Sequence, residues 1–213
     1  MPGRLPSHSD LPSSVTASVV PPPKGQVPTN VLILLHGLGD TNASFTNLGR
    51  QLNLPETTCL SVQARKLLPF DLGGYHWGDD IIFDQSSGEI DPETSCKDST
   101  KLILQDVIQS TLVEKCGYKL REIILFGFGQ GGMVALNIAA DLGTDELGGV
   151  VSIGGSLPSN APLASIDRKW KTPVLLCKAD RHSRVTQGDV TRIKDNFGAV
   201  EVKEWRRVGD SMP

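Results

Sequence analysis

The chain has 213 residues, of which 38% are hydrophobic and 21% charged, and its formal net charge is −3 at pH 7. This length suits one globular domain that can bury a core without disulfides or metals. Nucleic-acid binding is disfavoured because the chain is slightly acidic and only 5% aromatic. No apolar run approaches the roughly 18 residues that a membrane span requires.

The cysteines lie too far apart for a C-x-x-C metal or redox motif; they are Cys59, Cys96, Cys116 and Cys177. The first ten residues contain no apolar segment of the kind that a secretory signal carries. We therefore predict a cytoplasmic protein with no disulfide, no metal site and no cofactor.

The N-terminal segment, residues 1–28, contains seven of the 14 prolines. Because proline fixes φ and cannot donate to a sheet ladder, we predict an extended arm here. One edge strand is expected at residues 15–20, and residues 29–213 are predicted to form the globular domain.

Strands and helices then alternate along the chain. A short apolar run at residues 31–35 predicts a strand buried on both faces. A long loop at residues 63–94 is typical of a functional segment or lid. The other predicted strands are 58–62, 122–126, 148–153, 173–177 and 200–205, and the predicted helices are 43–52, 99–116, 131–140 and 185–196. This alternation predicts an α/β fold with a mainly parallel sheet and helices on both faces.

Two of these strands end in glycine-rich turns, with the sequences HGLGD at 36–40 and GFGQGG at 127–132. The second turn lacks the Lys and Ser or Thr of a phosphate-binding P-loop. It has the G-x-G-x-x-G spacing of a dinucleotide site, but no acidic residue ends the next strand. A third interpretation is the nucleophile elbow G-x-S-x-G with Gly129 in the serine position.

The two turns together resemble the acyl-protein thioesterases and the wider phospholipase/carboxylesterase family of α/β-hydrolases. That family carries H-G-L-G-D after its first buried strand and G-F-S-Q-G-G at its elbow. The Trp77 loop and the segments at 153–158 and 173–177 resemble other parts of the same family. The resemblance implies an α/β-hydrolase fold from about residue 31 to the C-terminus.

The resemblance also implies which residues occupy the catalytic positions. The nucleophile position falls on Gly129, the acid position on His182 and the histidine position on Asp210. A serine hydrolase needs a nucleophile, a base and an orienting acid within reach of one another. None of the three positions carries its usual residue, so we predict that the catalytic triad is not intact.

The oxyanion hole does not depend on side chains, because backbone N–H groups form it in this fold. By resemblance these groups belong to Leu38 and Gln130, and His36, Gly37 and Trp77 are expected to line the pocket. An acyl ester or acyl thioester is the expected ligand.

Two hypotheses follow for the function. The first is a non-catalytic family member that uses its pocket for binding or as a scaffold. The second is an active ester or thioester hydrolase that uses Ser156, or a water molecule polarised between Leu38 and Gln130. A nucleotide-binding module is a more distant third.

The resemblance further implies a final helix packed on the sheet, which this sequence lacks after its last predicted strand. We therefore expect exposed sheet surface near the C-terminus. That surface would take a protein partner or a second copy of the chain.

Overall fold

The computed structural model describes residues 3–83, 90–91, 94–165 and 167–212. Its centre is a seven-stranded sheet in the order β1-β3-β2-β8-β9-β10-β11. The strands are β1 (Ala17–Val20), β2 (Asn30–Leu35), β3 (Thr57–Val62), β8 (Ile123–Phe128), β9 (Gly149–Ile153), β10 (Val174–Arg181) and β11 (Val200–Val208). All neighbouring strands pair in parallel except β1 and β3, which confirms the predicted mainly parallel sheet.

Helices cover both faces of the sheet. Helix α1 (Asn42–Leu52) packs through Phe45 against Leu32 and Leu34 of β2. The main core lies on the opposite face, beneath helices α2, α3 and α4 and a π-helix. These elements span α2 (Lys97–Lys101), the π-helix (Leu102–Lys115), α3 (Gln130–Leu142) and α4 (Gln187–Asn196). No helix in the described residues is long and apolar enough to cross a bilayer.

The π-helix departs from the simple helix that apolar spacing predicted at residues 99–116. Its hydrogen bonds follow a wider turn, and the Thr111 hydroxyl also donates to the Asp106 carbonyl five residues earlier, at 2.7 Å. Periodicity predicts the buried side of a helix but not the number of residues per turn, so only the existence of this helix could be foreseen.

The proline-rich arm is part of the same sheet. The predicted edge strand is confirmed, because Ala17–Val20 pairs antiparallel with β3. Val15 and Ala17 are buried in the main core. Earlier in the arm, the backbone N–H of Arg4 donates to the Cys116 carbonyl at 2.9 Å, beyond the end of the π-helix.

The described residues of the loop at 63–94 include four two-residue strands that form two small hairpins. Strands β4 (Lys66–Leu67) and β5 (Tyr75–His76) form the first hairpin, and β6 (Ile82–Phe83) and β7 (Ile90–Asp91) form the second. The first hairpin is tied to the glycine-rich turn after β2, because the Gly39 N–H donates to the Tyr75 carbonyl at 2.9 Å.

The C-terminal half of the sheet has one sparsely covered face. Ile124, Val151 and Leu175 are only half buried there and line an open groove of about 500 Å³. No helix follows β11 in the described part of the chain, and the last described residue, Met212, packs against the smaller core cluster that contains Leu34 and Phe45.

Candidate functional site

The sharp turn between β8 and α3 has the geometry of a nucleophile elbow. Gly129 sits at its apex with φ 51° and ψ −119°, and its N–H donates to the Ile153 carbonyl at 2.8 Å. The flanking glycines leave no space for a side chain. A Cβ on Gly127 would clash with the Gly131 carbonyl oxygen, and one on Gly131 would clash with that of Leu35.

Gly129 itself is different, because a Cβ there would meet no heavy atom within 4 Å. The apex therefore has room for a side chain that it does not carry. What disfavours a larger residue is the positive φ alone, which glycine adopts without strain.

A cavity of about 400 Å³ opens directly over this apex. It brings together the three positions that the sequence assigned to the triad and the two assigned to the oxyanion hole. The lining residues are Leu38, Phe128, Gly129, Gln130, Met133, Gly154, Ser156, His182, Arg184, Gly209 and Asp210.

Asp210 holds the loop between β10 and α4 in place. Its Oδ1 accepts from the Ala179 N–H at 2.8 Å, and its Oδ2 accepts from the Ser183 hydroxyl and the Arg184 N–H, both at 2.9 Å. Its side chain also lies against Gly154, where an added Cβ would be 2.6 Å from the Asp210 Cβ. Asp210, which the resemblance assigns to the position of the family's catalytic histidine, therefore uses its carboxylate in structural hydrogen bonds.

His182 lies at the rim of the cavity, in an exposed position with a left-handed φ of 55°. In the described part of the chain its ring makes no hydrogen bond or ion pair with Asp210 or with Ser156, the serine that lines the cavity. Among the described residues that line this cavity, no serine–histidine pair of the kind that activates a nucleophile is formed.

His36 is fully buried beneath the first glycine-rich turn. Its Nδ1 lies 2.8 Å from the Gly37 carbonyl, and its Nε2 accepts from the Ala64 N–H at 3.0 Å. These partners require a proton on Nδ1 and a lone pair on Nε2, which defines the neutral ring. Burial also lowers the pKa of His36, so this histidine is a structural group and not a general base.

Trp77 lies beneath the cavity and links its own loop to the turn after β2 and to the start of α3. Its indole N–H donates to the His36 carbonyl at 2.7 Å, and its backbone N–H donates to Oε1 of Gln130 at 3.0 Å. The prediction that His36, Gly37 and Trp77 line the pocket was wrong. Both rings are almost completely buried, and Gly37 packs against Phe128, so all three support the cavity wall from behind.

Leu38 and Gln130 do line the cavity, as the oxyanion assignment requires. Gln130 is the first residue of α3, whose N-terminus has no side-chain cap among the described hydrogen bonds. The positive end of the helix dipole and its backbone N–H groups thus face the cavity, an arrangement that favours an anion or a carbonyl oxygen.

Sequence reasoning did not assign Met133 and Arg184 to the cavity. Met133 follows the elbow by one helical turn, so it faces the same opening as Gly129. Arg184 belongs to the loop that Asp210 holds, and no local motif marks it because its partner lies 26 residues later in the chain.

Comparison with known proteins finds relatives both in sequence and in structure. An uncharacterized hydrolase of Schizosaccharomyces pombe is 35% identical over 205 residues, which are 94% of this chain and 82% of the relative. The structure of esterase PE8 superposes with a TM-score of 0.75 at 20% identity, covering 94% of this chain and 93% of that one. Acyl-protein thioesterase 2 of Zea mays superposes with a TM-score of 0.69 at 24% identity, covering 93% and 92%.

These two structural likenesses establish the α/β-hydrolase fold. Family membership follows from the sequence, because the family described as phospholipase/carboxylesterase matches residues 15–188. The matched region contains both glycine-rich turns and the His182 loop. The chain therefore belongs to the phospholipase/carboxylesterase family of α/β-hydrolases.

Proposed function

We propose that this protein binds an acyl ester, acyl thioester or the corresponding carboxylate in the cavity over Gly129 without hydrolysing it. The observation that carries this proposal is the elbow apex, which has the backbone geometry of a nucleophile position but no side chain. Acyl transfer by this family's mechanism needs a nucleophilic atom at that point.

The surroundings of the apex support the same conclusion. Asp210 is engaged by three donors, and His36 is held neutral beneath the wall. His182 is the one histidine among the cavity-lining residues, and it contacts no serine there in the described part of the chain.

The groups that bind a carbonyl or carboxylate oxygen, by contrast, do not depend on the missing serine. The N-terminus of α3 supplies N–H groups and positive potential, and Leu38 brings the turn after β2 to the same opening. Met133 and Phe128 add apolar wall on which an acyl chain can lie.

The first test is turnover. The purified chain is assayed on a short-chain chromogenic ester and a palmitoyl thioester, with and without a fluorophosphonate that inactivates serine nucleophiles. We expect no turnover above background. Turnover that follows the protein through purification would overturn the proposal, and its loss in Ser156→Ala would identify the serine responsible.

The second test is binding. A thioether analogue that cannot be hydrolysed is titrated by calorimetry against the wild type and against Met133→Trp, which fills the cavity. Leu163→Trp adds the same ring at an exposed site that is not among the cavity-lining residues and is the matched control. Saturable binding that only Met133→Trp abolishes is expected, and equal binding by all three proteins would exclude this cavity as the site.

We further propose that the protein acts in the cytoplasm. All four cysteines are free thiols in buried positions. Burial raises the pKa of Cys59, and raises that of Cys96 to about 12. Unpaired thiols are typical of proteins in a reducing compartment.

A further inference from the structure

Strand β11 closes the sheet on one side, and its outer edge pairs with no other strand in the described part of the chain. It runs for nine residues, Val200–Val208, and contains neither Pro nor Gly. A strand of this length exceeds the roughly 5–6 residues that are usual, and an unpaired edge is a template for another strand. The question is which strand fits it.

The backbone directions along β11 are defined by its pairing with β10. The Ala199 carbonyl accepts from the Val174 N–H at 2.8 Å and so points toward β10. Because these groups alternate along a strand, the N–H and C=O groups of Val200, Val202 and Glu204 point outward. The register with β10 stays regular as far as Trp205 and shifts before Val208.

The side chains divide between the two faces of the sheet. Val200 and Val202 pack against the main core. Glu201 and Lys203 project from the other face and are exposed. From Val200 to Lys203, apolar residues thus alternate with side chains of opposite charge.

We propose that a second copy of this chain pairs antiparallel with β11 about a twofold axis at Val202. In this register Val202 lies opposite the partner's Val202, and Glu201 lies opposite the partner's Lys203 in both halves of the pair. Val200 lies opposite the partner's Glu204. The outward backbone groups then form about six hydrogen bonds, and the two sheets become one.

The charges select this register over its neighbours. In a twofold antiparallel pair the centre falls on a single residue, which faces its own copy. A centre at Glu201, Lys203 or Glu204 sets a charge against an identical charge, which destabilises a cross-strand pair. A centre at Trp205 sets Lys203 against the partner's Arg207. Among residues 201–205, only Val202 avoids every like-charge opposition.

The experiment is sedimentation of the full chain over roughly 1 to 200 µM, because an interface of under about 1,200 Å² is expected to be weak. The wild type should shift from monomer to dimer within this range. Glu201→Lys and Lys203→Glu each convert attraction into repulsion in both halves, so each should weaken the dimer about tenfold or more.

Mixing the two variants is the decisive step. In a heterodimer of Glu201→Lys with Lys203→Glu, both cross-strand pairs carry opposite charges again, so the mixture should dimerise where neither variant does alone. Lys24→Glu, an exposed site in the arm with the same change of charge, should behave as the wild type. Circular dichroism of each variant verifies its folding.

Three outcomes would overturn the proposal: a wild type that stays monomeric at the highest concentration, single variants that dimerise as tightly as the wild type, or a mixture that gains nothing. None of these outcomes bears on hydrolysis or on binding in the cavity, so this proposal and the proposed function can fail separately.

Discussion

At the scale of single residues, glycine at position 129 lets the elbow apex adopt a positive φ without strain. The apex keeps φ 51° and ψ −119° with space around it. A residue with a Cβ in such a conformation costs about 1–3 kcal/mol. Replacing glycine by a residue with a Cβ also restricts the unfolded chain, which restores about 0.4–1 kcal/mol to the free energy of unfolding.

Gly129→Ser should therefore lower the free energy of unfolding by about 1 kcal/mol without a steric clash. Denaturant titration of the wild type and the variant measures this difference. Gly188→Ser is the control, since Gly188 lies in the first turn of α4 without a positive φ and should gain slightly in helix propensity. Equal losses at both sites would contradict the strain argument.

On the proposed function, Gly129→Ser should also show no esterase activity. The hydroxyl would enter the cavity, but Asp210 is engaged in the loop beyond β10 and His36 is buried. A nucleophile without a base stays weak. Ester turnover by this variant that a fluorophosphonate abolishes would show that a base exists within reach of the apex.

The buried histidine His36 should make stability depend on pH. Burial lowers its pKa in the folded state, so below about pH 6.5 the unfolded chain binds the additional proton. The stability held by the neutral ring is therefore complete above about pH 6.5 and is lost as the pH falls below it. His76 is buried as well and contributes with the same sign.

We expect the free energy of unfolding to be lower at pH 5 than at pH 7.5, and the difference to shrink in His36→Gln. His8→Gln, in the exposed part of the arm, should retain the full difference. Urea titrations at the two pH values provide the comparison. A pH dependence unchanged in His36→Gln would mean that the pKa of this ring is the same in the folded and unfolded states.

At the scale of elements, Asp210 joins the end of β11 to the loop between β10 and α4. Asp210→Asn keeps the shape but replaces one acceptor oxygen with a donor, which then faces the donors on Ala179 or on Ser183 and Arg184. We expect a loss of about 1–3 kcal/mol in the free energy of unfolding. Thermal and denaturant unfolding measure it.

Asp180→Asn is the matched control for Asp210→Asn. Asp180 lies near the end of β10, just before that loop, and in the described part of the chain its carboxylate makes a long ion pair with Arg181 at 3.9 Å. The free energy of unfolding of Asp180→Asn should stay within about 0.5 kcal/mol of the wild type. Comparable losses in the two variants would show that the hydrogen bonds of Asp210 make no special contribution to stability.

The elements also show how far sequence reasoning reaches. The turns at 36–40 and 127–132 predicted the strand–turn–helix units and the elbow, because glycine is needed where a Cβ would meet backbone, as at Gly131. Motifs indicate position along the chain but not depth, so His36 and Trp77 were assigned to the pocket although they lie beneath it. The partners of Asp210 lie 26 to 31 residues away, and no local pattern identifies them.

At the scale of the whole molecule, the sheet has two unlike edges. Strand β1 brings the arm against β3, and Val15 and Ala17 reach the main core. Strand β11 at the other edge is long and alternates in charge. The arm therefore completes the domain, whereas β11 leaves an edge that another strand can join.

Removal of residues 1–28 should thus destabilise the whole domain. The deletion takes away β1, leaves the outer edge of β3 unpaired and uncovers apolar core around Val15 and Ala17. Burial of one large aliphatic side chain contributes about 1.5–3 kcal/mol, so the loss should reach several kcal/mol in the free energy of unfolding. Denaturant titration and the yield of soluble protein are the measurements.

Arg4→Ala is the control for this deletion, because it removes the exposed pair between Arg4 and Asp10 and leaves β1 in place. Exposed ion pairs contribute little, so this variant should unfold close to the wild type. If the chain without residues 1–28 were as stable as Arg4→Ala, the arm would be an appendage and the domain would begin at β2. A large loss in the deletion alone would place the start of the folding unit within the arm, at β1 or earlier.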